Sequence, residues 1–283
     1  MPAILLRFLA MPSEYTRGSE SRRSRKPTMP ILVSICDPKQ ISPLREEYRE
    51  EMQCQIIHDS IHERPGWSME YVLEMDGAAV GYGSVAIGGP WRTAHSLYEF
   101  YVTRSSRRHV FDLFAALRVQ SEVRKIETQT NDPFLSVMLH TFAENVHAES
   151  ILFEDQFETR LQPEGAGFRP REDPDVEVLN AFALDDTAGW VVTLNGSIAG
   201  AGGILYHYNR PYGDVYMKIA EPFQGKGIGA YLVQELKRAC RTGGSIPAAR
   251  CNISNLASRR TLQKAGFIPC GNLVSADFRD ATL

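Results

Sequence analysis

Cysteine is scarce and unpatterned in this chain: Cys36, Cys54, Cys240, Cys251 and Cys270, an odd number with no Cys-x-x-Cys spacing. That argues against a disulfide framework and against paired-cysteine zinc sites, and it predicts reduced thiols and a cytoplasmic address. Long apolar runs are also missing; none approaches the roughly 18 residues of a spanning helix, so no membrane partner is expected. The net charge is only -3 over 283 residues, which lacks the basic footprint of a nucleic-acid binder. What the chain does have is 43% hydrophobic residues. That suffices for a sizeable core and allows two domains.

The N-terminal stretch Ile4–Met11 is apolar but short and broken by Arg7, and the basic segment Arg17–Lys26 comes after it. A signal peptide carries these features in the opposite order. Residues 1–28 are therefore expected to be a disordered tail, with Met29 as a plausible start.

An internal repeat organises the remainder. Tyr71-Val-Leu-Glu-Met-Asp-Gly-Ala-Ala-Val-Gly-Tyr-Gly83 aligns without gaps with Trp190-Val-Val-Thr-Leu-Asn-Gly-Ser-Ile-Ala-Gly-Ala-Gly202. Each copy reads as strand, Asp-Gly or Asn-Gly turn, and second strand, which predicts a hairpin with a type I′ turn. After the first hairpin the pattern predicts a strand (97–102), a helix (110–121), a strand (125–130), a helix (133–142) and a strand (150–154). After the second it predicts a strand (214–220), a helix (227–241), a strand (248–252), a helix (255–265) and a strand (269–276). Residues 162–175, rich in Pro, Gly and charge, read as a linker between a first module, 29–161, and a second, 176–283.

The segment Phe223-Gln224-Gly225-Lys226-Gly227-Ile228-Gly229-Ala230 stands only in the second module. Alternate glycines bare the backbone where a helix begins, so several N–H groups can converge on one anion, aided by the helix dipole. A pyrophosphate suits this loop. Gly225-x-Gly227-x-x-Ala230 also satisfies a dinucleotide fingerprint, but Pro222-Phe223 intervene after the strand and no acid closes a second strand about 20 residues on. A P-loop would end in Gly-Lys-Ser/Thr, which is absent. The bland alternative is an ordinary strand-to-helix turn.

Gln224-Gly-Lys-Gly227-Ile-Gly229 resembles the R/Q-x-x-G-x-G/A motif of the GNAT superfamily of N-acetyltransferases. Asn255-Leu-Ala-Ser258, followed by Lys264-Ala-Gly266-Phe267, resembles that family's second motif, in the right order. The resemblance covers about residues 176–283; the first module matches in element order only. It implies an α/β fold of two tandem GNAT-like modules, each a mostly antiparallel splayed sheet flanked by helices. Acetyl-CoA, the acetyl donor, would lie between the fourth and fifth strands of the second module. Gly225, Lys226, Gly227, Ile228, Gly229 and Ala230 would hold its pyrophosphate, with Gln224 opening the motif. Met217 and Ile219 would pair with the pantetheine arm, and Asn255 would hydrogen-bond it. In the first module Ser105-Ser-Arg-Arg108 stands where the glycines should be, so that copy is expected to bind no acetyl-CoA.

The chemistry calls for a base on the attacking amine, donors for the oxyanion and a proton for the thiolate. The resemblance implies Asp214, opening the fourth strand, as base, and the Met217 N–H of a bulged strand as oxyanion donor. The family's usual acid, a tyrosine, is replaced by Leu262; Tyr216, Tyr212 and Cys251 are the substitutes in reach. His207, Tyr208 and Tyr212, in one polar and aromatic loop, suit a small-molecule amine acceptor, though the same residues also suit a plain surface turn. A non-catalytic acyl-CoA sensor and an acetyltransferase acting on protein amines are the competing functions. Finally, Cys54, His58 and His62 recur at helical spacing and would share one face of a helix. With no fourth ligand apparent, no metal is expected and the histidines fit ordinary polar contacts.

Overall fold

The structure is a computed structural model and describes residues 30–55 and 58–279. The expected tail 1–28 and the candidate start Met29 lie outside the described residues. The first module runs β1 (Ile31–Cys36), α1 (Pro38–Met52), α2 (Asp59–His62), β2 (Ser68–Met75), β3 (Ala78–Ala86), β4 (Ser96–Val102), α3 (Val110–Ser121), β5 (Lys125–Gln129), α4 (Pro133–Phe142) and β6 (Ala143–Asp155). The second runs β7 (Ala166–Pro170), α5 (Asp175–Ala181), β8 (Trp190–Leu194), β9 (Ser197–Leu205), β10 (Tyr212–Ile219), α6 (Ile228–Thr242), β11 (Ile246–Asn252), α7 (Leu256–Lys264) and β12 (Phe267–Phe278).

The repeat is carried down to backbone detail. Asp76-Gly77 and Asn195-Gly196 all have positive φ, 52° and 76° in one turn and 50° and 80° in the other, as a type I′ turn requires. Both hairpins then bulge at the same place, skipping Val80 opposite β2 and Ala199 opposite β8. The bulge carbonyls take the same bond: Val80 O accepts from Thr103 N at 2.8 Å and Ala199 O from Ala220 N at 2.9 Å. Gly81 and Gly200, the next residues, cross so close to the following strand that a Cβ would strike the carbonyls of Tyr101 and Lys218.

The two modules do not form two sheets. All the strands join in one sheet of order β1-β2-β3-β4-β5-β12-β6-β11-β10-β9-β8-β7. The last strand of each module is exchanged: β12 pairs with β5 of the first, β6 with β11 of the second, and β6 and β12 pair with each other at the centre. The boundary expected near 161 therefore separates the chain but not the sheet. Lys237 of α6 locks this arrangement, its buried Nζ lying 2.7 Å from Asp155 at the end of β6 and donating to Phe157 O and Ala265 O. Buried Gln234 holds both backbone groups of Leu161.

Two sequence expectations change here. Part of the expected linker 162–175 is a strand, because Ala166–Pro170 pairs with β8 and extends the sheet by one edge. Cys54, His58 and His62 do not share a helix: α1 ends at Met52, Gln53 turns to positive φ, and a new short helix starts at Asp59. Cys54 enters the core beside Tyr48 and Tyr82, while His62 faces Glu70 and Glu99.

Helices cover both faces. In the first module α1 packs on Tyr82 and Tyr101, and α3 and α4 pack on Leu73, Phe100 and Ile126 opposite. In the second, α6 covers Val215 and Val192 with Leu232 and Leu236. The α5 segment covers the other face through Leu179 and Leu184.

Candidate active site

A cleft in the sheet defines the site. The parallel strands β10 and β11 pair only over Tyr212–Asp214 and Ile246–Ala248. Beyond that, β10 stays with β9 while β11 stays with β6, so the two splay into a V. Ala220 N bonds on the β9 side. Strand alternation therefore turns the N–H and C=O of Met217 and Ile219 towards the open side of the V. The side chains of both residues remain half-buried. Gln224 Nε2 donates to Ile219 O at 3.1 Å and so fixes the end of the strand.

The glycine loop closes the wide end. Gly225 and Gly227 take φ of 75° and 81°, a left-handed conformation that only glycine adopts without strain. A Cβ at either would meet nothing within 4 Å, so the space beside the loop is empty. α6 starts at Ile228 with no side-chain cap, leaving its first N–H groups, from Ile228 to Ala230, to an outside acceptor. Lys226 Nζ lies 5.5 Å from the Phe223 ring. Across the V, Asn255 caps α7, its Oδ1 accepting from Ser258 N at 2.9 Å, which leaves Nδ2 for a ligand.

At the narrow end Asp214 is buried, with Arg250 Nε 3.4 Å from Oδ2. Burial raises its pKa, Arg250 pulls it down less, and it settles at about 6. Tyr216, on the same face two residues on, is pushed up to about 12 by burial and by its bond to Asp185. Arg250 also lies over the Tyr208 ring at 4.4 Å, and the Tyr208 ring in turn meets that of His207 at 4.3 Å, tilted by 39°. Tyr212 stands apart: its hydroxyl donates to Gln53 O of the first module at 2.8 Å. Leu262 is a core residue packed with Cys251 and Phe267, and burial raises the Cys251 thiol pKa. The expected bulge of the fourth strand is absent from β10, which runs in unbroken register against β9. It occurs instead in the first module, where β4 skips Tyr98 opposite β3.

Arg250 was not singled out by the sequence, though it is the one charge in the β11 run Ile246-Pro-Ala-Ala-Arg-Cys-Asn252. Beside it lie groups of the first module. Glu127 accepts from Trp91 Nε1 at 3.1 Å and sits 3.9 Å from His58 Nε2. Burial lowers the His58 pKa to about 4 and raises that of Glu127. Among the described residues no cluster of side chains could hold a metal ion. None of the helices there is long and apolar enough to cross a membrane.

The first module has the same V and fills it. In register with β3, Phe100 and Val102 stand where Met217 and Ile219 do, and both are 0% exposed against Leu135 and Met138 of α4. Arg107 Nε donates to Val102 O at 3.2 Å, the bond that Gln224 makes to Ile219. Counting from there, Val110 and Asp112 occupy the positions of Gly227 and Gly229.

A mixed sheet split by a V, with a bare glycine cradle on a helix N-terminus, sets an open strand edge beside an anion site. Residues 152–267 match the model of the acetyltransferase (GNAT) family, and this part of the chain is a GNAT acetyltransferase domain, whose acetyl donor is acetyl-CoA. The chain is similar in fold to a GNAT-family acetyltransferase from Colwellia psychrerythraea, with TM-score 0.67, 14% identity, and coverage of 88% of this chain and 100% of that one. A GCN5-related N-acetyltransferase from Sphaerobacter thermophilus gives TM-score 0.56 at 14% identity, covering 89% and 98%. A tandem GNAT protein from the clavulanic acid biosynthesis pathway gives 0.57 at 11%, covering 88% and 98%. No curated protein matches the chain significantly.

Proposed function

We propose that the chain is an N-acetyltransferase that moves the acetyl group of acetyl-CoA to the amine of a small polar acceptor, by direct attack with both substrates bound. The observation that carries this reading is the contrast between the two clefts: one open, with the Met217 edge turned to it and a glycine cradle, the other filled by Phe100, Val102 and α4. The second module then holds one acetyl-CoA. Backbone N–H groups from Gly225 to Ala230 take the pyrophosphate. The exposed edges of Met217 and Ile219 take the pantetheine amides, with Asn255 Nδ2 on the far wall. The first module is a degenerate copy: Val110 and Asp112 bring bulk and negative charge to its cradle.

In the reaction, Asp214 takes the proton of the acceptor ammonium. The freed nitrogen attacks the thioester carbon, and the carbonyl oxygen gathers negative charge at the Met217 N–H. Collapse breaks the C–S bond and the electron pair leaves on sulfur. Tyr216, held protonated, gives its proton to the sulfur and takes the second proton of the acylated nitrogen, so that CoA departs as the thiol and the product as a neutral amide, while Asp214 releases its proton to solvent. A buried carboxylate with a pKa of about 6 is ionised at neutral pH and a stronger base than an ordinary aspartate. The five cysteines are all free, which fits a cytoplasmic enzyme.

Two measurements of CoA-thiol release across an amine panel check this. The rate should rise with pH through about 6, because Asp214 must lose its proton to act. Asp214→Asn should lower kcat about a hundredfold or more and remove that limb, with acetyl-CoA affinity unchanged. An intact rate and an intact limb would remove Asp214 as base.

A further inference from the structure

The β9–β10 loop of the second module rests on the first. Asp59 N donates to Tyr208 O at 3.0 Å, Asn209 Nδ2 donates to Cys54 O, and the Tyr212 hydroxyl donates to Gln53 O at 2.8 Å. Asp59 is itself anchored, its carboxylate bound by Arg45 and Arg49 of α1. Tyr208 is therefore held at its backbone, and its ring offers a fixed surface. Arg250 of β11 lies over that ring, its guanidinium carbon 4.4 Å from the centroid. An arginine on a strand has several rotamers open to it, and an aromatic face beneath the guanidinium selects among them. The one selected sets Nε 3.4 Å from Asp214 Oδ2.

That spacing suits a base. A short fork of two hydrogen bonds would occupy both carboxylate oxygens and pull the pKa far down. At 3.4 Å the positive charge favours the ionised form, and the carboxylate can still accept a proton. Other charges stand further from Asp214 or face elsewhere. β9 sets Leu205 opposite it, and Glu154 of β6 lies two strands away in register and is exposed. Asp185 bonds Tyr216, and burial, Arg64 and Arg250 hold His207 below the ordinary histidine range. Glu127 and His58 of the first module lie in the field of Arg250. Among the described residues Arg250 alone acts on Asp214 against the effect of burial. In the first module the same register puts Ser96 and Glu127 where Asp214 and Arg250 stand. Both members of the pair are thus replaced where the cleft is filled. We propose that Arg250 is a positioning residue that keeps Asp214 ionised and aimed, and that Tyr208, docked on the first module, holds Arg250 in place. This role rests on the acetyltransferase reading above, in which Asp214 is the base, and it gives the first module a share in the reaction.

The test is a pH titration of the Asp214 carboxyl by NMR, on the full chain with labelled aspartate and without substrates. The signal is identified by its loss in Asp214→Asn, and thermal melts check that each variant folds. The wild-type midpoint is expected at about 6. Arg250→Met keeps the stem but drops the charge, and should raise the midpoint by about one pH unit or more. Arg250→Lys should recover at least half of that shift. Tyr208→Leu removes the seat but no charge, and should raise the midpoint by a smaller amount. In CoA-thiol release with an acceptor from the amine panel, the acidic limb should move with the carboxyl. A shift of one unit costs Arg250→Met about fivefold at pH 6 and almost nothing at pH 9. Equal midpoints in wild type and Arg250→Met overturn the role of Arg250, and an unmoved midpoint in Tyr208→Leu overturns that of Tyr208. A rate lowered equally at every pH, with the midpoint unmoved, marks a merely structural residue and overturns it as well. A carboxyl that shifts while the limb of turnover stays in place leaves the pair standing and removes Asp214 as base.

Discussion

Gly227→Glu is expected to weaken acetyl-CoA binding at least a hundredfold, about 2.7 kcal/mol at 25 °C, with the fold intact. Gly227 is the N-cap of α6 and holds φ of 81°. A side chain there is strained by about 1 kcal/mol, and its carboxylate enters the loop in which the pyrophosphate must sit. Two unit charges 4 Å apart near a protein surface interact by about 4 kcal/mol, more than the strain, so charge decides the effect. No atom lies within 4 Å of the added Cβ, which is why the variant should fold. Gly227→Ala separates the two terms, since it adds strain without charge and should lose tenfold at most. Calorimetric titration of both variants checks this; an unchanged Kd for Gly227→Glu would remove the pyrophosphate from this loop.

Glu99→Gln is expected to destabilise the protein by about 3–5 kcal/mol, the usual cost of breaking a buried ion pair, and to lower Tm by roughly 10 °C at the 2–4 °C per kcal/mol typical of larger domains. Glu99 is buried on β4 and gathers Arg45 Nε at 3.1 Å, His62 Nε2 at 3.0 Å and the Tyr82 hydroxyl at 3.0 Å. An amide there places N–H against these donors and removes one of the two carboxylates that each buried cation faces, leaving Arg45 with Asp59 and His62 with Glu70. Burial alone would lower the His62 pKa, but Glu99 and Glu70 outweigh it and hold it at about 9. A raised histidine pKa gives stability that is full below about 6.5 and is lost as pH rises through 9. Wild-type Tm should therefore fall between those values, and the variant should lose less over that window. Equal slopes in thermal melts across that range would show that Glu99 does not hold the His62 proton.

This network also shows why the modules differ. In register with β3 and β9, Glu99 stands where Tyr216 stands. The first module has filled that face with charge pairs, and the second leaves Tyr216 and Asp214 beside an open cleft. The repeat, both type I′ turns, the order of elements after each hairpin and the positive φ of the glycine loop were legible in the sequence, because local backbone chemistry fixes each of them. Asp-Gly and Asn-Gly demand positive φ, and alternate glycines before an apolar helix period leave few other structures. The exchange of β6 and β12 was not legible, since both strands look alike in pattern and pairing is a long-range choice. Nor was the break after Met52, where helical spacing continued through Cys54 and His58 but the chain turned at Gln53. Arg250 escaped notice because a lone charge in a strand acquires meaning only from what lies opposite, here Asp214.

The central claim is that one of two similar clefts binds acetyl-CoA. The stoichiometry of acetyl-CoA on the full chain by titration calorimetry tests it most directly. One acetyl-CoA per chain, abolished by Gly227→Glu and unaffected by Asp112→Ala in the first turn of α3, is the expected result. Two per chain, or one that survives Gly227→Glu, would contradict it.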